Sequence, residues 1–159
     1  MNMYQTAIMD AIRTLIGSSI GGVALKSKMD GHPLDLGEDV TNYLPGLFIM
    51  PSDSFPTIEY ACRECDQEYS IELFYVMARG ESGNPYETII SRCSDLITKL
   101  DTPGILGLTL SAGDHFLESH ITSVGVNNEV QQVYRENKLP LVAYRISWSC
   151  LIQAALDTS

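Results

Sequence analysis

Residues 139–159 read LPLVAYRISWSCLIQAALDTS, and this run decides the fold. After the proline, apolar residues recur at every second position. Val142, Tyr144, Ile146, Trp148, Cys150 and Ile152 share one parity, and Arg145, Ser147, Ser149 and Gln153 share the other. Alternation with period two sends successive side chains to opposite faces of a sheet, so the run is a long strand. Its first parity is a core face. Its second is wetter, or faces a partner.

Moving outward, QEYSIELFYVMARG at 67–80 alternates in the same way. Tyr69, Ile71, Leu73, Tyr75 and Met77 lie on one side, against Glu68, Ser70, Glu72, Phe74 and Val76 on the other. That second side is mixed, which implies cover over part of it, from within the chain or from another subunit. The segment that follows has the strongest local signal. Asn84 suits an N-cap, Pro85 the first helical position and Glu87 the third. Tyr86, Ile89, Ile90, Cys93, Leu96, Ile97 and Leu100 then recur at helical spacing until DTPG at 101–104 ends the element.

Near the start, Tyr4, Ala7, Ile8, Ala11, Ile12, Leu15 and Ile16 form one apolar helical stripe, stopped by Gly17. Shorter extended pieces are expected at 23–26, 47–50, 57–63, within 104–114 and at 119–128. The polar stretch NNEVQQVYRENK at 127–138 reads as a connecting excursion, and 26–43 as a loop carrying Asp30, Asp35, Glu38 and Asp39. Strands grouped in runs predict a single α+β domain over 1–159. Its sheet is mainly antiparallel, with two amphipathic helices packed on one face.

With 159 residues and 45% apolar content, the chain is long enough to bury a proper core. Twenty acidic residues against ten basic ones give a net charge of −10. That excess argues against a general nucleic-acid binder and against docking on anionic membranes. No apolar run approaches the roughly 20 residues that span a bilayer. MNMYQTAIMDAIRTLIG at the start has no basic region ahead of its apolar residues, so it does not read as a signal peptide. A reducing cytoplasm is the expected place of synthesis, and the four cysteines are expected to be thiols.

Candidate chemistry is thin. CREC at 62–65 pairs Cys62 with Cys65, but a structural zinc site needs four ligands, and Cys93 and Cys150 sit in apolar stripes. The acidic residues that follow also fail to favour a thiolate. GDHFLESH at 113–120 gathers Asp114, His115, Glu118 and His120, residue types that bind metals or move protons, at a spacing that fits a solvated loop better than a metal site. IGSSIGG at 16–22 lacks the lysine of a phosphate loop, and no serine lies in a Gly-x-Ser-x-Gly elbow. No cofactor is expected and no catalytic group stands out.

The order of elements carries more information. The helix AIMDAIRTLI at 7–16, the helix GNPYETIISRCSDLITKL at 83–100 and the final strand VAYRISWSCLI at 142–152 resemble the tail terminator family of long-tailed bacteriophages. These are also called tail completion proteins, and the resemblance runs from residue 1 to about 154. It implies a structural, non-enzymatic virion protein. Such a protein forms a hexameric ring at the head-proximal end of the tail tube, stops tube polymerisation and offers a docking surface to the head and neck. The implied partners are further copies of the chain, the tail tube protein and a head–neck connector. DNA passes through such a ring without specific binding, and an acidic lining repels phosphate.

Assembly would take place in the bacterial cytoplasm, and the mature location would be the tail–neck junction of the virion. Phe74, Val76, Leu141 and Leu151 are expected anchors of subunit or partner contact, with Asp35, Glu38 and Asp39 of the 26–43 insert. Two alternatives stand beside this reading. One is a head-closure or other neck adaptor; the other, of a different class, is a small metal- or ligand-binding enzyme using Asp114, His115, Glu118 and His120.

Overall fold

The computed structural model describes residues 3–52, 57–61, 64–101 and 108–155, with the backbone alone at 57–61 and 64. In chain order the elements are α1 (Gln5–Ile16), β1 (Ser19–Ile20), β2 (Val23–Ala24), β3 (Ser27–Asp30), a 3-10 strap (Pro33–Tyr43), β4 (Gly46–Pro51), β5 (Thr57–Ala61), β6 (Glu64–Ala78), a 3-10 turn (Arg79–Glu81), α2 (Pro85–Leu100), β7 (His115–Val126), α3 (Asn128–Glu136) and β8 (Leu141–Ala155). The fold is α+β with a mostly antiparallel sheet, as the sequence predicts.

The two long alternating runs are the centre of that sheet. β6 and β8 pair antiparallel in unbroken register from Glu64 opposite Ala155 to Ala78 opposite Leu141. Outside them the order is β3-β4-β6-β8-β7, and β5 pairs with the start of β6. Only β3 and β4 run parallel among the described pairs. β7 is therefore an edge strand. It is bent by two irregularities, between Phe116 and Glu118 and between Ile121 and Ser123.

The first parity of both long strands is core, as expected. Trp148, Ile146 and Ile152 of β8 join Tyr69, Ile71 and Leu73 of β6 under α1 and α2. α1 contributes Ile8, Ile12 and Ile16, and α2 contributes Ile89, Cys93 and Leu96. Local signals fix both helices. The Asn84 side chain accepts from the Glu87 amide at 3.4 Å and donates to its carboxylate at 2.7 Å. Gly17 ends α1 at φ +72°. The tight turn between β1 and β2 has φ +59° at Gly21, where an added Cβ would stand 2.8 Å from Cα of Arg92. A side chain there would meet backbone as well as an unfavourable conformation.

The second face is where the structure goes beyond the sequence. Its half nearest Ala78 and Leu141 carries a separate core of Phe48, Phe74, Val76, Ala143 and Leu141, covered by Val40 of the strap and Val130 and Tyr134 of α3. The 127–138 excursion is thus a capped helix, with the Asn127 side chain accepting from Val130 N at 2.9 Å. The 26–43 insert is likewise a strand followed by a folded strap. His32 caps the strap by accepting from Leu34 N at 3.1 Å, while Asp35 accepts from His32 N at 3.0 Å. The Tyr134 hydroxyl donates to the Pro33 carbonyl and ties helix to strap.

These two pieces correct the expected anchors. Phe74, Val76 and Leu141 are buried at 2%, 0% and 4% exposure, so their cover comes from this chain and not from another subunit. Leu151 lies beyond the cover and is half-buried. Asp35, Glu38 and Asp39 are exposed on the outer side of the strap.

The expected strand within 104–114 is not present at 108–114, and 102–107 lie outside the described residues. Cys62 also lies outside them, so the CREC pair is described only through Cys65, which is buried. Among the described residues, no helix is long and apolar enough to cross a membrane.

Candidate interaction surface

The uncovered half of the second face follows from the same period-two pattern. Between Glu72 and Phe74 on β6, and between Arg145 and Ala143 on β8, the outward residues change from polar to apolar. α3 and the strap stop at that boundary because apolar area ends there. Beyond it, the strand registers set out short polar rows. Asp66, Gln153 and His115 form one; Glu68, Leu151 and Glu118 the next; then Ser70, Ser149 and His120; then Glu72, Ser147 and Ser123.

Side-chain bonds link neighbouring strands across this surface. Ser149 is buried at 1% exposure with no helix above it among the described residues; its hydroxyl donates to Glu68 Oε1 at 3.1 Å and lies 3.5 Å from that of Ser70. Arg145 Nη2 stands 3.4 Å from Glu72 Oε1, and its Nε donates to Ser147 Oγ at 3.4 Å. Asp66, Glu68, Glu72 and Glu118 thus share this surface with Arg145, around a bed of serines, and Glu72 is paired with it. The balance is negative, and short hydroxyls offer little apolar area to grip. Such a surface repels polyanions and resists adhesion.

At the outer margin of β4, α1 leaves an open groove of about 670 Å³. Met9, Ile49, Met50 and Pro51 line it with apolar surface, and Arg13, Asp30 and Asp35 stand at its rim. Arg13 is held there by ion pairs to Asp10 and Asp30. The hydrogen bond with Asp30 pushes its guanidinium further up from an already high value.

The residues of GDHFLESH do not converge. Its last six residues begin β7 and so are strand, not loop. Asp114 turns to the helical side, where its Oδ2 accepts from the Tyr4 hydroxyl and its Oδ1 from Ala155 N at 2.9 Å. Ser111 N donates to the same Tyr4 oxygen at 3.0 Å, and Tyr4 N donates to the Tyr69 hydroxyl at 3.0 Å. Asp114 is therefore a latch joining α1 to the end of β8. His115, Glu118 and His120 stand exposed on the opposite face. Among the described residues, no three His, Cys, Asp or Glu side chains are grouped to hold a metal ion.

Nothing in the sequence announces this latch, because Asp114 lies 110 residues from Tyr4 and 41 from Ala155. The buried amide of Gln131 was equally hidden. Its Oε1 accepts from Ala143 N at 3.0 Å, and Asn127 N donates to Ala143 O at 2.8 Å. Together they complete the hydrogen bonding of β8 where β7 departs.

Buried acids of the core are held protonated. Burial pushes the Tyr69 hydroxyl up to about 12, and burial with nearby Glu68 raises the Cys150 thiol to about 12. Burial likewise raises Cys93, well above an ordinary thiol. Such thiols are poor nucleophiles. Folding raises these pKa values, so the native state keeps protons that the unfolded chain releases from about pH 9 to 10. Stability is full below that range and falls as pH rises toward 12. Thermal melts are expected to drop by the order of 5 °C between pH 9 and pH 11. A melting temperature that stays level over that span contradicts the assignment.

No family model matches the chain, and no curated protein sequence matches it. Among solved structures, its fold is similar to that of a chain from the virion of a native gene transfer agent (GTA) particle. The TM-score is 0.52, and the likeness covers 94% of this chain and 94% of that one, at 11% sequence identity. At that identity what the two chains share is a fold, across nearly their whole lengths.

Proposed function

We propose that this protein is a structural component of a phage-like virion. Copies assemble into a ring, of six by the family resemblance, that caps the head-proximal end of the tail tube, ends its growth and receives the neck. One observation carries the reading: a sheet whose second face is, among the described residues, half sealed by the chain itself and half left open, acidic and rich in serine, beside an edge strand. In a ring with that open half turned inward, Asp66, Glu68, Glu72 and Glu118 line the bore. DNA then slides past without binding, since counterion release needs basic residues. The fold shared with a virion chain supports the setting.

Light scattering on the purified protein is expected to give about six times the monomer mass, with open rings in negative stain. Duplex DNA is expected not to shift in a gel at physiological salt. A protein that stays monomeric up to about 1 mM, alone and with tail tubes, overturns the reading. So does tight binding of duplex DNA.

A further inference from the structure

The proposed ring leaves open which surfaces join its copies, and the two outer margins of the sheet carry complementary features. At the β7 margin, Leu117 and Val124 are 49% and 47% exposed. Ile90 of α2, 48% exposed, projects from the helix flank opposite Arg92, Asp95 and Lys99. Those three contact the β1–β2 turn and α1, so the Ile90 flank overlooks β7. At the other margin lies the groove between α1 and β4, where Pro51 is exposed and Met50 half-buried, with the buried Met9 and Ile49 beneath them.

Strand register places these features at matching heights. Val124 shares a row with Ile146, Leu73, Ile49 and Asp30, crossing the sheet from margin to margin. Ile121 shares the next apolar row with Trp148, Ile71 and Pro51. Ile121 and Val124 of β7 therefore stand level with the groove, and Leu117 lies beyond its last row. Direction agrees too. β7 runs the same way as β6, and β3 runs against it, so a copy moved sideways without flipping brings β7 antiparallel to its neighbour's β3.

Charge is complementary on the second face at the same level. Arg145, its side chain 42% exposed, shares a row with Gly125 of β7 and with Phe74, Phe48 and Met29. At the far end of that row the strap presents Asp35, Glu38 and Asp39 to solvent. A protein of net charge −10 needs such a local match to tolerate its own copies.

We propose that these margins form one head-to-tail joint between copies of this chain. The β7 margin, with Leu117, Val124 and Arg145, docks against the α1–β4 groove and the acidic strap of the next copy. This rests on the self-assembly reading above. A joint between two different surfaces generates rings when its rotation closes. The irregularities in β7 distort its free edge, which discourages open-ended sheet addition.

Two variants test it by sedimentation: Leu117→Ser with Val124→Ser, and Asp35→Asn with Glu38→Gln and Asp39→Asn. All five side chains are exposed, and circular dichroism and thermal melts check that each variant folds. Each alone is expected to weaken self-association ~10-fold or more. An equimolar mixture is expected to form dimers and nothing larger, because one intact β7 margin meets one intact strap and the remaining margins are dead. Folded variants that assemble like the unmodified protein overturn this joint and leave the ring standing, as does a mixture that forms no dimer while the unmodified protein assembles. An unmodified protein that never associates overturns both.

Discussion

Trp148→Ala is expected to lower stability by about 4 kcal/mol, the upper range for emptying a packed core site. Trp148 is the largest of the fully buried side chains, 1% exposed, and sits on β8 between Ile71 of β6 and Ile121 of β7. α1 and α2 both close over the cluster that contains it. Alanine there leaves a cavity that strands fixed on both sides cannot collapse to fill. Because a domain of this size is held by only about 5–15 kcal/mol, the loss removes a large part of the margin. The measurement is the urea midpoint at fixed protein concentration, with the m-value unchanged. Ile90→Ala, at an exposed apolar site, is the control and is expected to move stability by no more than about 0.5 kcal/mol. Equal effects of the two substitutions contradict the assigned core.

Asp114→Ala is expected to cost about 3 kcal/mol, because it strips the acceptor from two donors in a closed corner. Asp114 is 8% exposed and the Tyr4 side of the corner 7%, so water is a poor substitute. Asp114→Asn keeps one carbonyl oxygen and is expected to recover part of the loss. The distinguishing readout is local. Hydrogen exchange at the Ala155 amide, which donates to Asp114 Oδ1, accelerates in Asp114→Ala well before global unfolding. His115→Ala and His120→Ala, at exposed positions on the other face, leave it unchanged. If all three substitutions behave alike, with intact stability, Asp114 is not a latch and a shared role for these residues reopens.

How far the sequence alone could be read is clearest along β6. Its odd positions, Tyr69 to Met77, are apolar without exception, and they are core. Its even positions change from Glu68, Ser70 and Glu72 to Phe74 and Val76, and the cover begins at that change. The pattern therefore marked where a cover had to lie. It did not say what would supply it. Helix α3 buries only Val130, Gln131 and Tyr134, and a segment with so few apolar residues at helical spacing resembles a polar connection. The strap contributes Val40 and the buried Pro33, with Leu34 and Leu36 half-buried beside them, interleaved with Asp35, Glu38 and Asp39. Phe74, Val76 and Leu141 looked available to a partner for this reason. Their partners are short, polar segments from two other parts of the chain.

What the sequence determined by itself was everything with a local period: the two long strands, the helix capped by Asn84, the helix stopped by Gly17, and the core face of each. Backbone geometry imposes those periods residue by residue, so they are written in order along the chain. Tertiary structure alone decided which half of the second face is sealed, that Asp114 serves α1 and β8, and that the groove and the exposed Val124 of β7 stand level at opposite margins. Each depends on segments brought together from far apart in sequence. Contacts of that kind are set by the summed burial of the whole domain, which no single stretch of residues records.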